Sequence, residues 1–122
     1  MSVSVARAEA LERRLILFAV RVVEVSSKLP KTIQGRHFAT QIMRSGTATA
    51  SNYGEARGAE SRSDFIHKLR IVLKELNETA VWLTLIQETK LFQADKIVPI
   101  IAENRELCRI IGASVRTARS AQ

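Results

Sequence analysis

Residues 64–86 read DFIHKLRIVLKELNETAVWLTLI, and the apolar residues of this stretch recur every three or four positions. The recurring residues are Phe65, Leu69, Val72, Leu76, Thr79, Leu83 and Ile86. Such a heptad stripe predicts a long helix with one side in a core. Ser61 and Asp64 precede it with the Ser-x-x-Asp spacing of a capping box, which marks a helix start. We therefore predict a helix over about residues 63–89.

The same spacing predicts three more helices, over about residues 3–28, 35–57 and 95–119. The stripe of the first is Leu11, Leu15, Phe18, Val22, Val25 and Leu29. The stripe of the second is Phe38, Ile42, Gly46, Thr49, Tyr53 and Ala56. The stripe of the last is Ile97, Ile101, Asn104, Cys108, Ile111, Val115 and Ala118, widened by Ile100, Leu107 and Ile110.

The two prolines of the chain fit the predicted ends of the first and last helices. Pro30 ends the first helix because it disfavours helical backbone at Leu29. Pro99 falls in the predicted first turn of the last helix, where its missing N–H costs little. Short connections between long helices favour antiparallel neighbours. The sequence therefore predicts an all-α, up-down-up-down four-helix bundle that forms a single domain over residues 1–122.

Composition favours a soluble protein of a reducing compartment. The chain has 122 residues, of which 46% are hydrophobic, so it can bury a core without staples. Its one cysteine, Cys108, excludes a disulfide framework, and we expect a cytoplasmic protein. The apolar run from Leu15 to Val20 is too short for a membrane span, so no membrane partner is expected.

We expect no catalytic site, metal or cofactor. His37 and His67 have no paired ligand spacing, and no phosphate-binding glycine loop occurs. Cys108 lies on an apolar stripe, which favours a core thiol over a nucleophile. Glu75 and Glu78 could serve as acid and base, but their surroundings favour ion pairing.

The stretch RSGTATASNYGEARGAES, residues 44–61, is too polar and too small for a helix that only fills a core. Arg44, Asn52 and Glu55 fall on one side of this helix, away from Ile42. A second stripe on the next helix consists of Ile71, Glu75, Glu78 and Trp82. One interpretation is a helix–helix or subunit contact in which Arg44 bonds to a carboxylate such as Glu75 or Glu78. The other interpretation is a ligand site.

The chain is basic, with a net charge of +7. The candidate nucleic-acid-binding residues are Arg105, Arg109, Arg116 and Arg119 on the last helix, with Arg13 and Arg14 on the first. These arginines could hold a phosphate backbone without reading sequence, or could simply be a solvated face. Aromatic residues make up only 5% of the chain, so base-stacking platforms are not evident.

Several motifs resemble those of a known bacterial family. Arg44-Ser45-Gly46-Thr47, Asn52-Tyr53 and Glu55-Ala56 are similar to its RSG(T/S)xxxxNYxEA signature. Residues 63–69, SDFIHKL, and residues 71–83, IVLKELNETAVWL, resemble its next two motifs. The family is the four helix bundle proteins, also called 23S rRNA-intervening-sequence proteins. Thr49, Gly54 and Val81 depart from its usual residues, which affects local packing only.

The resemblance implies a four-helix bundle that assembles as a ring-shaped homopentamer, with a biochemical role that is not settled. A related group of basic pentamers binds nucleic acid and a reverse transcriptase, which supports nucleic-acid binding by analogy. The leading hypothesis is a non-enzymatic homo-oligomer that binds RNA or DNA. The alternative is a protein-interaction scaffold without nucleic-acid binding and with an unknown protein partner. Arg44→Ala is expected to disrupt assembly, and charge removal at Arg109 and Arg116 to weaken binding.

Overall fold

The chain forms four long helices joined by short turns. The computed structural model describes residues 3–121, with side-chain positions from residue 5 onward. The helices are α1 (Val3–Lys28), α2 (Ile33–Arg57), α3 (Arg62–Glu88) and α4 (Ala94–Ser120). The predicted all-α four-helix bundle is confirmed, while Met1, Ser2 and Gln122 of the predicted domain lie outside the described residues. As far as residues 3–121 show, none of the helices carries an apolar stretch that would span a bilayer.

Side-chain caps set where two of the helices begin. The Thr32 hydroxyl accepts a 3.1 Å hydrogen bond from the backbone N–H of Gly35, so α2 begins earlier than predicted. The Ser61 hydroxyl accepts a 3.0 Å bond from the N–H of Asp64, which confirms the predicted N-cap of α3. Because α4 begins at Ala94, Pro99 lies in its second turn and not in the first, and there its missing N–H removes one bond of the helix.

The turn after α3 is closed by backbone hydrogen bonds. The N–H of Lys90 donates to the carbonyl of Gln87 at 3.1 Å, and the N–H of Leu91 donates to that of Ile86 at 3.2 Å. This pair of bonds is the Schellman motif, which usually places glycine in the left-handed position. Here Lys90 occupies that position, with a φ of 59°. The motif reverses the chain between α3 and α4.

The core follows the predicted stripes in α1, α2 and α3, whereas the stripe of α4 is turned. Ile100 and Leu107 of α4 are buried, while Ile101 and Cys108, which the sequence placed at the centre, are only half-buried. The two alternative stripes share Ile97, Asn104, Ile111, Val115 and Ala118. They differ by one residue at two positions only, so the placement of the neighbouring helices decides between them.

Each helix packs along the next one in the chain, and α1 meets α4 over a short stretch only. A Cβ atom on Gly46 would lie 2.6 Å from Cγ1 of Val22, so this glycine allows α1 and α2 to approach closely. The buried hydroxyls of Ser45 and Thr79, 2.8 Å apart, connect α2 to α3. The side of the bundle between α1 and α4 is therefore its most open side.

Candidate nucleic-acid interface and the Arg44 cluster

The outer side of α4 carries four exposed arginines, three, four or seven positions apart. This set, called the arginine face, consists of Arg105, Arg109, Arg116 and Arg119. It lies on the opposite side of the helix from the buried residues Leu107 and Ile111. Within the part of the chain that the structure describes, three of the four form no ion pair, and the exception is Arg109. The predicted common sector is thus present.

Arg109 differs from the other three because it bonds to Glu106, one turn earlier on the same helix. Its Nε donates to the carboxylate at 3.0 Å, and its Nη2 contacts the second carboxylate oxygen. Hydrogen bonding from this guanidinium lowers the pKa of Glu106. The cations of the arginine face that no acid compensates are therefore Arg105, Arg116 and Arg119.

The two candidate arginines of α1 do not join this face. Arg14 donates two hydrogen bonds to Glu103 of α4, from Nε at 2.7 Å and from Nη2 at 2.8 Å. The bond to Glu103 raises the pKa of Arg14, which stays charged and links α1 to α4. Arg13 is exposed on the other side of α1, away from Leu15. The two arginines, adjacent in sequence, therefore serve different surfaces.

Arg44 lies in a cluster that also contains Glu75, Glu78 and Trp82, and this set is called the Arg44 cluster. The Glu78 carboxylate accepts a 3.0 Å bond from the indole N–H of Trp82 and a contact from Nη2 of Arg44. Nη1 of Arg44 lies 3.5 Å from a carboxylate oxygen of Glu75. The Trp82 bond, and after it the Arg44 bond, lowers the pKa of Glu78. The predicted bonding of Arg44 is confirmed as a contact between α2 and α3 of one chain, and its role in assembly stays a prediction.

The other motif residues of α2 separate into different environments. Asn52 is half-buried and donates a 2.8 Å bond to the carbonyl of Ala48 on its own helix. Glu55 accepts a 2.8 Å bond from Nζ of Lys68 on α3, and this pairing raises the pKa of Lys68. Tyr53 is buried, and burial raises the pKa of its hydroxyl. The polar side predicted for Arg44, Asn52 and Glu55 is therefore not one connected site.

Both histidines, His37 and His67, are exposed, and Cys108 is half-buried. The ring of His37 lies 5.5 Å from the ring of Trp82, edge to face, beside the Arg44 cluster. The Cys108 thiol lies 3.5 Å from Oδ1 of Asn77, and burial raises its pKa, which disfavours the reactive thiolate. Among residues 3–121, no three His, Cys, Asp or Glu side chains converge in a way that could hold a metal ion.

A groove that the sequence did not predict lies between α1 and α4, at the end of the bundle where α1 begins and α4 ends. The groove encloses about 800 Å³, and Arg7, Arg14, Arg62 and Arg109 lie along it. The seven-residue spacing of Arg7 and Arg14 is the sequence signal that could have indicated a shared side of α1. Arg62 carries no such signal, because it belongs to α3 and reaches the groove only in the folded chain.

Fold and surface together define a class: small, basic, antiparallel four-helix bundles. Residues 10–113 match the family described as 23S rRNA-intervening sequence protein. The chain therefore belongs to this family, and the resemblance drawn from its motifs is confirmed. No curated protein matches the chain significantly.

A solved structure supports the same assignment. It is the crystal structure of a protein of unknown function from the S23 ribosomal protein family of Bacteroides thetaiotaomicron VPI-5482. The two chains are 34% identical and superpose with a TM-score of 0.81. The match covers 86% of this chain and 97% of the other, so the two share the whole fold.

Proposed function

We propose that the protein is a non-enzymatic bundle that assembles into a homopentameric ring and binds RNA or DNA through arginine side chains. The observation that carries the binding proposal is the arginine face of α4, where Arg105, Arg116 and Arg119 have no acidic partner in the described residues. Guanidinium groups match phosphate oxygens geometrically and remain charged at all physiological pH values. A ring would repeat this face on every subunit, so weak contacts would add along one strand.

Binding at the arginine face is expected to depend on salt and to discriminate little between sequences. Phosphate contacts position a strand without reading its bases. For three phosphate contacts to a single strand, counterion release predicts about a 20-fold loss of affinity when salt rises from about 50 to about 200 mM. Loss of affinity on this scale distinguishes a binding face from one that only keeps the protein in solution.

The first experiment measures fluorescence anisotropy with labelled 20-nucleotide RNA and DNA at these two salt concentrations. The test variant is Arg105→Ala/Arg116→Ala, because both side chains lack an acidic partner. The matched control is Lys31→Ala/Arg36→Ala, which removes two exposed charges outside the arginine face, at and next to the turn between α1 and α2. We expect the test variant to lose affinity and part of its salt dependence, while the control keeps most of both. Absence of binding at low salt by the unaltered protein would contradict the proposal.

The assembly proposal is supported by two exposed apolar patches. The α1 patch consists of Ile16, Leu17, Val20 and Val23, and the α3 patch of Val81 and Leu85, one turn from Trp82. Because α1 and α3 are not neighbours in the bundle, the outer sides of the two helices face different directions. Rings form through heterologous contacts, in which two different surfaces meet. The two patches are suited to such a contact.

Arg44 tests whether the α3 side takes part in assembly. Its guanidinium bonds to Glu78, which also holds Trp82 beside the α3 patch. We expect Arg44→Ala to lower the fraction of the oligomer in native mass spectrometry, because it releases both side chains. Arg105→Ala/Arg116→Ala also removes one positive charge at each altered residue, but it should leave the mass of the oligomer unchanged. An unchanged mass for Arg44→Ala would place the Arg44 cluster outside the subunit contact.

A protein-interaction scaffold is the second candidate, because the same exposed apolar patches also suit contact with a different protein. Val20 is 47% exposed and Val81 is 58% exposed, and contiguous apolar surface marks interaction sites. A protein that stays monomeric and binds neither RNA nor DNA at low salt would favour this scaffold over the proposed ring.

A further inference from the structure

The groove between α1 and α4 combines a floor with few charges and a rim of arginines. Leu11, Tyr53, Phe65, Ile110 and Ala113 lie along it with the arginines named above. The hydrogen bonds between Arg14 and Glu103 connect α1 to α4 along the line where the two helices meet. Beyond this connection, toward the start of α1, the two helices leave a space of about 800 Å³. That volume is within the range of about 300–1,000 Å³ that is usual for small-ligand sites.

A tyrosine hydroxyl in the groove is accessible to a ligand. Tyr53 as a whole is only 5% exposed and lines the groove. Its hydroxyl forms no hydrogen bond within residues 3–121 and is not among the buried polar atoms that lack a partner, so solvent reaches it. A polar atom of a ligand in the groove can therefore bond to this hydroxyl without displacing another side chain.

The charge of the groove selects an anion. No acidic side chain lines it, and Glu103 and Glu106 compensate only Arg14 and Arg109. Nη1 of Arg62 donates to the carbonyl of Ala118 at 3.4 Å, which holds this guanidinium between α3 and α4. Arg7 and Arg62 are left without an acidic partner in the described part of the chain.

We propose that the groove receives one unpaired nucleotide of a single strand, with the base over Leu11, Phe65 and Ile110 and the flanking phosphates on Arg7 and Arg62. This inference rests on the proposed nucleic-acid binding and adds a preference for single strands. A nucleotide fits because it joins an apolar ring to an anion, and splayed bases are commonly stacked on aromatic and arginine side chains.

The first test compares three labelled probes at one salt concentration: a 12-nucleotide RNA, an abasic strand of the same length, and a duplex of the same length. Binding through phosphates alone would hold the RNA and the abasic strand equally. A base in the groove predicts that the RNA binds about tenfold more tightly than the abasic strand. It also predicts weaker binding of the duplex per phosphate, because paired bases cannot enter.

The second test fills the groove without changing its charge. Ala113→Phe places a ring in the groove, whereas Ala102→Phe places the same ring on an exposed side of α4 outside it. We expect Ala113→Phe to remove the tenfold advantage of the RNA over the abasic strand and Ala102→Phe to retain it. Circular dichroism checks that both variants fold. If either variant does not fold, the comparison of RNA, abasic strand and duplex on the unaltered protein still tests the proposal.

The outcomes separate this inference from the proposed function. If RNA and the abasic strand bind the unaltered protein equally, the groove holds no base, while binding through phosphates still stands. If Ala113→Phe keeps the advantage of the RNA, the base is held elsewhere and the assignment to this groove is wrong. If no probe binds at low salt, the proposed function and the groove assignment both fail.

Discussion

Asn104 is a buried polar residue whose amide is only half satisfied. It is 1% exposed, and its Oδ1 accepts a 3.6 Å contact from the Cys108 thiol, while its Nδ2 has no partner within the described residues. Leaving a buried donor unbonded costs about 1–3 kcal/mol. We therefore predict that Asn104→Leu raises the free energy of unfolding by about 1 kcal/mol in urea denaturation.

Asn104→Asp is the matched change for this prediction. It keeps the size of the side chain and adds a buried charge, so it should lower the free energy of unfolding. A loss of stability in Asn104→Leu would show that the amide has a partner, such as a bound water, whose bonds exceed the gain from the apolar side chain.

Glu78 gives a prediction about pH. The indole of Trp82 and the guanidinium of Arg44 lower its pKa below the ordinary value, so the folded chain binds a proton less readily than the unfolded chain. The resulting stabilisation is present above the unfolded pKa of about 4.3 and is lost as pH falls through the lowered value. We expect Glu78→Gln to destabilise the protein at about pH 7 and to have less effect at about pH 3.

Glu24→Gln is the control for this comparison, because Glu24 is exposed and forms no ion pair in the described chain. Its effect on unfolding should be small at both pH values. Equal destabilisation by Glu78→Gln at neutral and acid pH would mean that packing around Trp82, and not the charge of Glu78, stabilises the contact.

At the scale of the helix, Gly46 sets the distance between α1 and α2. A Cβ at this position would lie 2.6 Å from Cγ1 of Val22, a fully buried side chain with little rotamer freedom. We expect Gly46→Ala to destabilise the protein by about 1–2 kcal/mol, even though alanine is the better helix former. Val22→Ala should relieve the clash, so that the double variant is more stable than the sum of the two changes predicts.

Gly112 provides the matched control on α4. The nearest atom to a Cβ there is Nη1 of Arg116, at an ordinary distance of 3.6 Å. Gly112→Ala should therefore raise the free energy of unfolding by up to about 1 kcal/mol, the difference in helix propensity. If both glycine variants gain stability, close packing does not limit the approach of α1 and α2.

A comparison of α3 with α4 shows how far the sequence determines the packing of the helices. The stripe of α3, from Phe65 to Ile86, predicts its helix and its buried side, because a long heptad repeat leaves one choice of face. In α4, apolar residues occupy both Ile100 and Ile101, so the pattern cannot choose between two stripes one residue apart. Arg14 shows a different limit: its carboxylate partner is Glu103, 89 residues away, and no local spacing indicates a contact between distant helices.

At the scale of the whole molecule, the apolar patches on α1 and α3 predict how subunits join. Val20→Lys places a charge in the first patch and Val81→Lys places one in the second. Each variant alone should fail to form the proposed ring and remain monomeric in native mass spectrometry, because burying an unpaired charge is costly. Ala102→Lys, an exposed change outside both patches, should keep the mass of the unaltered protein.

Mixing the two patch variants distinguishes a ring from a symmetric dimer. In a heterologous contact, the intact α3 patch of the Val20→Lys chain can meet the intact α1 patch of the Val81→Lys chain. The mixture should therefore form a heterodimer that cannot grow further, because the remaining patch on each side carries a lysine. If α1 met α1 in a twofold contact, Val81→Lys would still dimerise alone, and mixing would produce no new species. The appearance of the mixed dimer would thus identify both surfaces of the ring contact in one experiment.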